Sequence, residues 1–203
     1  MFNTKKEALE VVAGLSQTSK MPCPSYGLPI DECPTGSKLR PIPGSTCYDC
    51  YAGKGRCAMP NVVSAQYRRV EALKDLAWVP AMIYLIKPLP HFRWHCSGDL
   101  LGQWHLDKII AVCKGTPNTK HWLPSREYKL IKDNLHRIPD NLVVRMSSPM
   151  IDGAAPAFKN TSTVHREAPA IGTSCPAIDQ GGKCEDCRMC FDKRRKNISY
   201  NYH

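Results

Sequence analysis

The chain has 203 residues, a formal net charge of +10 and 11 cysteines. This length allows one domain with its own hydrophobic core, which excludes a very small fold held together by disulfides. The longest apolar run, residues 78–86, is too short to span a bilayer, so no membrane-spanning helix is predicted. Residues 1–14 are charged and lack an apolar signal segment, so we expect a cytoplasmic protein, in which clustered cysteines indicate metal or redox chemistry more often than disulfides.

The N-terminal third is predicted to be a helix, a long loop and a second helix. Thr4 and Glu7 form a capping box that predicts a helix over residues 4–15. Residues 21–59 contain many prolines and five cysteines and predict an ordered loop without regular elements. An apolar stripe predicts a helix over residues 61–78 that ends before Pro80. The short apolar segment 81–86 suits either a strand or a helix.

The middle of the chain alternates strands and helices. Strands are predicted over residues 91–100, 120–127 and 141–148, with helices over 103–114 and 127–138 between them. This order predicts an α/β fold with a parallel sheet built from βα units. After Ser148 the chain is predicted to be irregular up to Cys175. We expect a single domain over 1–203, made of a helix and loop (1–60), a βα core (61–150) and a cysteine-rich C-terminal segment (151–203).

Polar residues follow each predicted strand. Functional groups in parallel sheets collect beyond the carboxyl ends of the strands. These ends therefore predict a pocket beside a cofactor, for which the candidate binding residues are Ser97, Gly98, Asp99, Arg126, Glu127 and Arg145.

The C-terminal cysteines give the strongest chemical signal. Cys184, Cys187 and Cys190 follow one another at three-residue spacing, with Cys175 upstream. Two consecutive C-x2-C steps resemble the bacterial ferredoxin pattern and favour a [4Fe–4S] cluster. A zinc site and inert thiols are the alternatives, although zinc sites usually offer two separate C-x2-C pairs.

A second cysteine group lies in the proline-rich loop. Cys47, Cys50 and Cys57 are the favoured ligands, and Cys23 and Cys33 are candidates to complete the site. Four thiolates would close a [4Fe–4S] site, whereas three would leave one iron open to a substrate. A zinc site or a structural thiol cluster is the alternative.

Two cysteines and one basic run have simpler interpretations. Cys113 falls on a helix core position and Cys96 lies in a strand, so both are predicted mainly as buried thiols. The basic run from Lys193 to Lys196 (KRRK) suits an anionic partner such as nucleic acid, or a solvated surface.

The segments FRWHCSGDL, HWLPSREY, LVVRMSS and CPAIDQGGKCEDCRMCFD together resemble the phage gene-88-product family over most of the chain, from Met21 to Asp192. That resemblance implies a phage or prophage protein in the cytoplasm of a bacterial host. A looser resemblance is to radical SAM enzymes with an auxiliary cluster, carried by the order of the two cysteine groups around βα units and by SGDL (97–100). It implies a partial βα-barrel-like sheet and S-adenosylmethionine as a further cofactor.

The sequence thus predicts a phage iron–sulfur protein with one or two [4Fe–4S] clusters, whose substrate is unknown. One hypothesis is an enzyme with redox or radical chemistry. The alternative is a non-catalytic iron–sulfur or zinc protein that binds nucleic acid or a host protein.

Overall fold

The structure is a computed structural model that describes residues 2–21 and 23–202; Met1, Pro22 and His203 lie outside the described residues. The helices are α1 (Lys5–Val11), α2 (Pro34–Leu39), α3 (Pro60–Ala72), α4 (Trp78–Ile86), α5 (Gln103–Gly115) and α6 (Tyr128–Asp133). The strands are β1 (Ser16–Gln17), β2 (Pro24–Tyr26), β3 (His91–Trp94), β4 (Lys120–Ser125), β5 (Leu142–Ile151), β6 (Thr161–His165), β7 (Thr173–Ser174) and β8 (Asn197–Asn201).

The strands form one open sheet in the order β1-β2-β3-β4-β5-β6-β8-β7. Strand β1 pairs antiparallel with β2, and the other neighbouring strands are parallel. The predicted α/β class with a parallel sheet is therefore confirmed. The sheet does not close, and its edge strands β1 and β7 have only two residues each.

The two faces of the sheet pack against different parts of the chain. Because side chains alternate along a strand, Phe92 and Trp94 of β3 point into a large apolar core, which they share with α4 and α5. The other face carries Arg93, whose guanidinium lies 4.7 Å from the centre of the Trp122 ring. Trp122 packs there against Phe191 of the C-terminal segment. Helices thus cover one face, and the C-terminal cysteine segment covers part of the other.

The helical boundaries differ from prediction where backbone geometry overrides the apolar pattern. Helix α1 ends at Val11 because Ala13 and Gly14 adopt positive φ angles of 52° and 79°. The predicted helix over 61–78 breaks after α3, and α4 begins at Trp78 and includes the ambiguous segment 81–86. Pro80 lies in the first turn of α4, where its missing N–H removes no intrahelical bond, so it does not end a helix.

Helix α6 and strand β3 also end earlier than predicted. Helix α6 ends at Asp133 because the Asn134 side chain donates to the Leu130 carbonyl (2.8 Å), and a 3₁₀ turn follows at Leu135–Arg137. Strand β3 stops at Trp94, and His95 turns the chain with φ 55°. The loop 21–59, predicted to lack regular elements, contains β2 and α2.

The prediction of an irregular chain from Ser148 to Cys175 was wrong in part. Strand β5 continues to Ile151, and β6 and β8 are buried strands held by polar pairs. Thr161 Oγ1 donates to Asn197 Oδ1 (2.7 Å), and the hydroxyls of Thr163 and Ser199 lie 3.1 Å apart. Such strands lack the apolar alternation by which a strand is recognised in sequence. Within residues 2–21 and 23–202, none of the helices has the length and apolarity that a bilayer crossing requires.

Candidate functional site

The proline-rich loop is attached across the carboxyl ends of the central strands. The Leu28 amide donates to the Ser97 carbonyl after β3 (2.9 Å). The Thr35 amide donates to Glu127 Oε1 after β4 (2.9 Å), and the Thr46 amide donates to the Pro149 carbonyl in β5 (2.9 Å). The loop cysteines therefore lie over the edge of the sheet where the sequence places the candidate binding residues.

Three loop cysteines form a group, which we call the loop triad: Cys33, Cys47 and Cys50. A Cβ atom built on Gly36 would lie 3.6 Å from Cys33 Sγ and 3.7 Å from Cys47 Sγ, so both sulfur atoms lie beside the same glycine. Burial, then the charges of Asp99 and Cys50, raises the pKa of the Cys33 thiol to about 12. Burial also raises the pKa of Cys47, which the Arg126 guanidinium opposes.

Cys57 and Cys96 form a pair beside the triad. Burial raises the pKa of Cys57, and the neighbouring thiols of Cys96 and Cys50 add to the shift. The backbone of Cys96 is fixed where its amide donates to Ser25 Oγ (3.1 Å). A Cβ on Gly27 would come within 2.7 Å of the Cys96 sulfur, so glycine is needed there. Cys96, predicted mainly as a buried thiol, is therefore part of the cysteine-rich region, whereas Cys113 packs in the apolar core.

Asp99 is the acidic residue at this edge of the sheet. Its carboxylate accepts from the amides of Leu100 (2.7 Å) and Arg126 (2.8 Å). Burial raises the pKa of Asp99 to about 6, although these hydrogen bonds oppose the shift. Next to it, Gly98 has φ 80°, and a Cβ there would lie 2.7 Å from Leu28 Cβ. Glycine at 98 lets the loop approach the end of β3.

Several buried polar atoms at this edge have no partner among the described residues, including both ring nitrogens of His95. Ser97 Oγ and Arg126 Nε are two further such atoms, while Arg126 Nη2 donates to Thr46 Oγ1 (2.6 Å). Unsatisfied buried donors are costly, which makes them candidates for ligand contacts.

The C-terminal cysteines form the second group, which we call the C-terminal tetrad. They line one cavity of about 20 Å³ together with Met21, Ala177 and Ile198. The Cys184 amide donates to the Lys20 carbonyl (2.8 Å), and Cys190 Sγ lies 3.2 Å from the Tyr200 hydroxyl. The tetrad consists of Cys175, Cys184, Cys187 and Cys190.

Cys23 lies with the tetrad rather than with the loop triad. It packs with Trp122, Phe191, Cys184 and Cys190 on the face that the C-terminal segment covers. Burial raises the pKa of Cys23, and the Arg93 guanidinium opposes that shift. The sequence left open whether Cys23 or Cys33 accompanies the other loop cysteines, and the structure places Cys33 there.

Arg145 is also placed at the tetrad and not in the predicted pocket. The side chain is fully buried, and its guanidinium donates to five backbone carbonyls. The best of these bonds reach the carbonyls of Cys190 (3.0 Å), Asp192 (2.8 Å) and Arg195 (2.8 Å). Arg145 therefore fixes the backbone that carries Cys190, and it has no donor left for a ligand.

Arg93 lies between the two cysteine groups, and sequence reasoning missed it. Its Nη2 donates to the Tyr51 hydroxyl of the loop (3.3 Å), and its Nη1 lies 3.8 Å from the Met21 sulfur near the tetrad. Burial by itself would lower the pKa of the Arg93 guanidinium. The electrostatic effects of the Tyr51 and Cys96 side chains outweigh burial, so the pKa of Arg93 is raised. Its alternation with Trp94 in β3 was the signal that could have placed it on the second face.

All eleven cysteines are described, and all are free thiols. Among the described residues, no three His, Cys, Asp or Glu side chains converge on one point as a single metal ion requires. Thiolates around one zinc ion lie about 2.3 Å from it, whereas a four-iron cluster binds each thiolate at a separate iron and spaces them more widely. Cysteine thiols are the donor type that such clusters use. The tetrad cavity of about 20 Å³ is smaller than a four-iron core, so the tetrad thiols would have to turn outward to hold one.

These features define an α/β protein with an open, mostly parallel sheet and two groups of free cysteines, one at the carboxyl edge and one on a face. The chain belongs to the gene product 88 family, the phage family that its sequence resembles: the family model matches residues 2–193. No curated protein and no solved structure matches the chain. The comparisons do not support the looser resemblance to radical SAM enzymes.

Proposed function

We propose that this phage protein is an iron–sulfur protein of the host bacterial cytoplasm, in which the loop triad and the C-terminal tetrad each hold one [4Fe–4S] cluster. The observation that carries the proposal is the gathering of cysteines from distant parts of the chain into two groups of unpaired thiols. In a reducing cytoplasm such groups serve metal or redox chemistry.

The loop triad is proposed as the reactive site, with one iron open to a ligand. When bound, such a cluster supplies redox or radical chemistry, and its open iron can take a substrate or S-adenosylmethionine. Arg126 and Ser97 would orient that ligand, since each has a buried donor without a partner. Asp99 holds the Arg126 backbone in place, and the side chain of Glu127 fixes the loop through the Thr35 amide.

The tetrad is proposed as a closed site of four thiolates. Its walls are mostly apolar, and Arg145 fixes the neighbouring backbone. The Arg93 guanidinium stands between the two groups and offsets negative charge on both. These features suit a cluster that passes electrons or stabilises the segment.

The experiment is metal analysis of anaerobically purified protein. We expect iron and sulfide for two clusters, about half of that in Cys187→Ala and in Cys47→Ala, and full content in the control Cys113→Ala, whose thiol lies in the apolar core. Colourless protein with stoichiometric zinc would contradict the proposal.

The same samples test the open iron. We expect the electron paramagnetic resonance spectrum of the reduced protein to change when S-adenosylmethionine is added, and we expect Arg126→Gln to weaken that change. An unchanged spectrum would favour the second candidate, a non-catalytic iron–sulfur protein. That candidate has support in the five cysteines around the loop, since Cys57 or Cys96 offers a fourth thiolate.

A further inference from the structure

A large cavity opens at the amino ends of the central strands, at the opposite edge of the sheet from the loop triad. Its volume is about 790 Å³, within the range of small-molecule sites. His91 begins β3 and Lys120 begins β4 at its wall, and the C-terminal segment forms the other side. The charged or titratable residues at its wall are His91, Lys120, Asp140, Arg188, Asp192, Lys193, Arg194 and Arg195.

The cavity has an excess of positive charge. Lys193 pairs with Asp140 (3.2 Å), and the neighbouring Arg194 pairs with Asp192 (3.0 Å). Lys120, Arg188 and Arg195 have no carboxylate within 4 Å in the part of the chain that the structure describes. The positive charges of these three residues therefore lack an anionic partner within the described chain, although Arg188 Nη1 donates to the carbonyls of Glu185 and Cys187.

The charges converge on the same space. Burial lowers the pKa of His91, and the next two causes are the positive charges of Arg188 and Lys120. These two residues come from different elements, β4 and the C-terminal segment, and act on one imidazole. A concave site with several cations from separate elements favours an anion with more than one charge.

The cavity wall is rigid. Arg145 donates to the carbonyls of Met189, Asp192 and Arg195, and Asn160 Nδ2 donates to those of Lys193 (2.8 Å) and Arg195 (3.0 Å). The backbone that carries Arg188 and Arg195 is thus held by buried side chains of the sheet. Because this wall is already ordered, little binding free energy is lost in ordering it when a ligand binds.

We propose that this cavity binds the phosphate groups of a nucleotide, either free or within a single nucleic-acid strand. Phosphate is the polyanion whose geometry suits arginine and lysine together. The volume admits a nucleotide, and the basic run that ends at Lys196 continues the positive surface from the cavity wall. The inference goes beyond the iron–sulfur proposal and does not depend on it.

The test measures fluorescence anisotropy of a labelled single-stranded oligonucleotide over a range of salt concentrations, with ADP as the competing free nucleotide. The cavity variant is Lys120→Gln with Arg195→Gln. Its control, Lys132→Gln with Arg68→Gln, removes the same charge from exposed positions on α6 and α3. The cavity variant should bind about tenfold more weakly, and its salt slope should fall by about 0.7 for each lost phosphate contact. The control should change affinity by about twofold or less.

The outcomes separate the ligand sources and the two proposals. Competition by ADP supports a free nucleotide, and binding of the oligonucleotide alone supports a strand. No binding of either probe, or equal loss in both variants, would overturn the inference. Binding by anaerobically purified protein that contains no iron would leave this inference standing while refuting the iron–sulfur proposal.

Discussion

Replacement of Arg145 by methionine should release the C-terminal cysteine segment from the sheet. Arg145 is fully buried, and its guanidinium donates to five carbonyls between Thr161 and Arg195. Among the described residues, no other donor reaches the Cys190 carbonyl. Methionine fills similar space but donates nothing, so these acceptors lose a charged partner.

The expected loss of stability follows from this count. A hydrogen bond to a charged group contributes about 1.5–3 kcal/mol, but the five bonds are not additive, because removing Arg145 also removes the cost of burying its charge. We expect a net decrease of about 3–5 kcal/mol in the free energy of unfolding, the range for breaking a buried charged interaction. Urea denaturation measures this value, and a shift of the midpoint at constant slope reports it cleanly.

Hydrogen exchange tells the proposed role of Arg145 from general destabilisation. Without urea, the amides of residues 184–195 should exchange faster in Arg145→Met than in the parent protein, while the amides of α5 stay protected. The matched control is Arg69→Met, because Arg69 is also buried but donates to Gly14, Ser16 and Gly27 near β1 and β2. Unchanged exchange in residues 184–195 of Arg145→Met, or an equal increase there in Arg69→Met, would refute the reasoning.

Three other changes test the fold. Gly98→Ala should lower the free energy of unfolding, measured by urea denaturation, by at least about 2 kcal/mol, because the new Cβ would strike Leu28 at a position of positive φ. The control Gly14→Ala, at φ 79° with open space around it, should lose about 1 kcal/mol. Equal losses in the two variants would contradict the role of the Leu28 contact. Burial lowers the pKa of His121 to about 4, so the unfolded state binds the proton more readily than the folded state as the pH falls. This residue should therefore reduce the free energy of unfolding by up to about 3 kcal/mol between pH 6.5 and 4. In denaturation experiments at several pH values, His121→Gln should reduce the slope of the free energy of unfolding against pH. Tyr26→Phe removes a buried hydroxyl that donates to the Val12 and Arg69 carbonyls and accepts from Trp78, so thermal denaturation should show a loss of about 1–3 kcal/mol; an unchanged midpoint would exclude that role.

Apolar patterns revealed helices α1, α3, α5 and α6 and the central strands, but not the polar half of the sheet. Strand β3 and helix α5 have alternating or stripe-like apolar residues and were recognisable. Strands β6 and β8 bury threonine, serine and asparagine in mutual hydrogen bonds, so no apolar period marks them. A sequence pattern reports burial against apolar neighbours, and here the neighbours are polar.

The candidate site divides in the same way. The meeting of Asp99, Arg126 and Glu127 at one edge followed from their positions at the ends of the predicted strands, since parallel strands end at one edge. The placement of Cys23 and Arg93 did not follow, because both depend on which face of the sheet the C-terminal segment covers. The role of Arg145 depended on the path of a segment more than forty residues later in the chain.

The amino-acid sequence by itself determined the βα order, the family and the two sets of cysteines, because these depend on local spacing and residue type. Only the tertiary structure decided which thiols share a site, which arginine fixes a backbone and where a basic cavity opens. Those properties arise from strand pairing and from the packing of distant segments, and no local pattern in the chain encodes them.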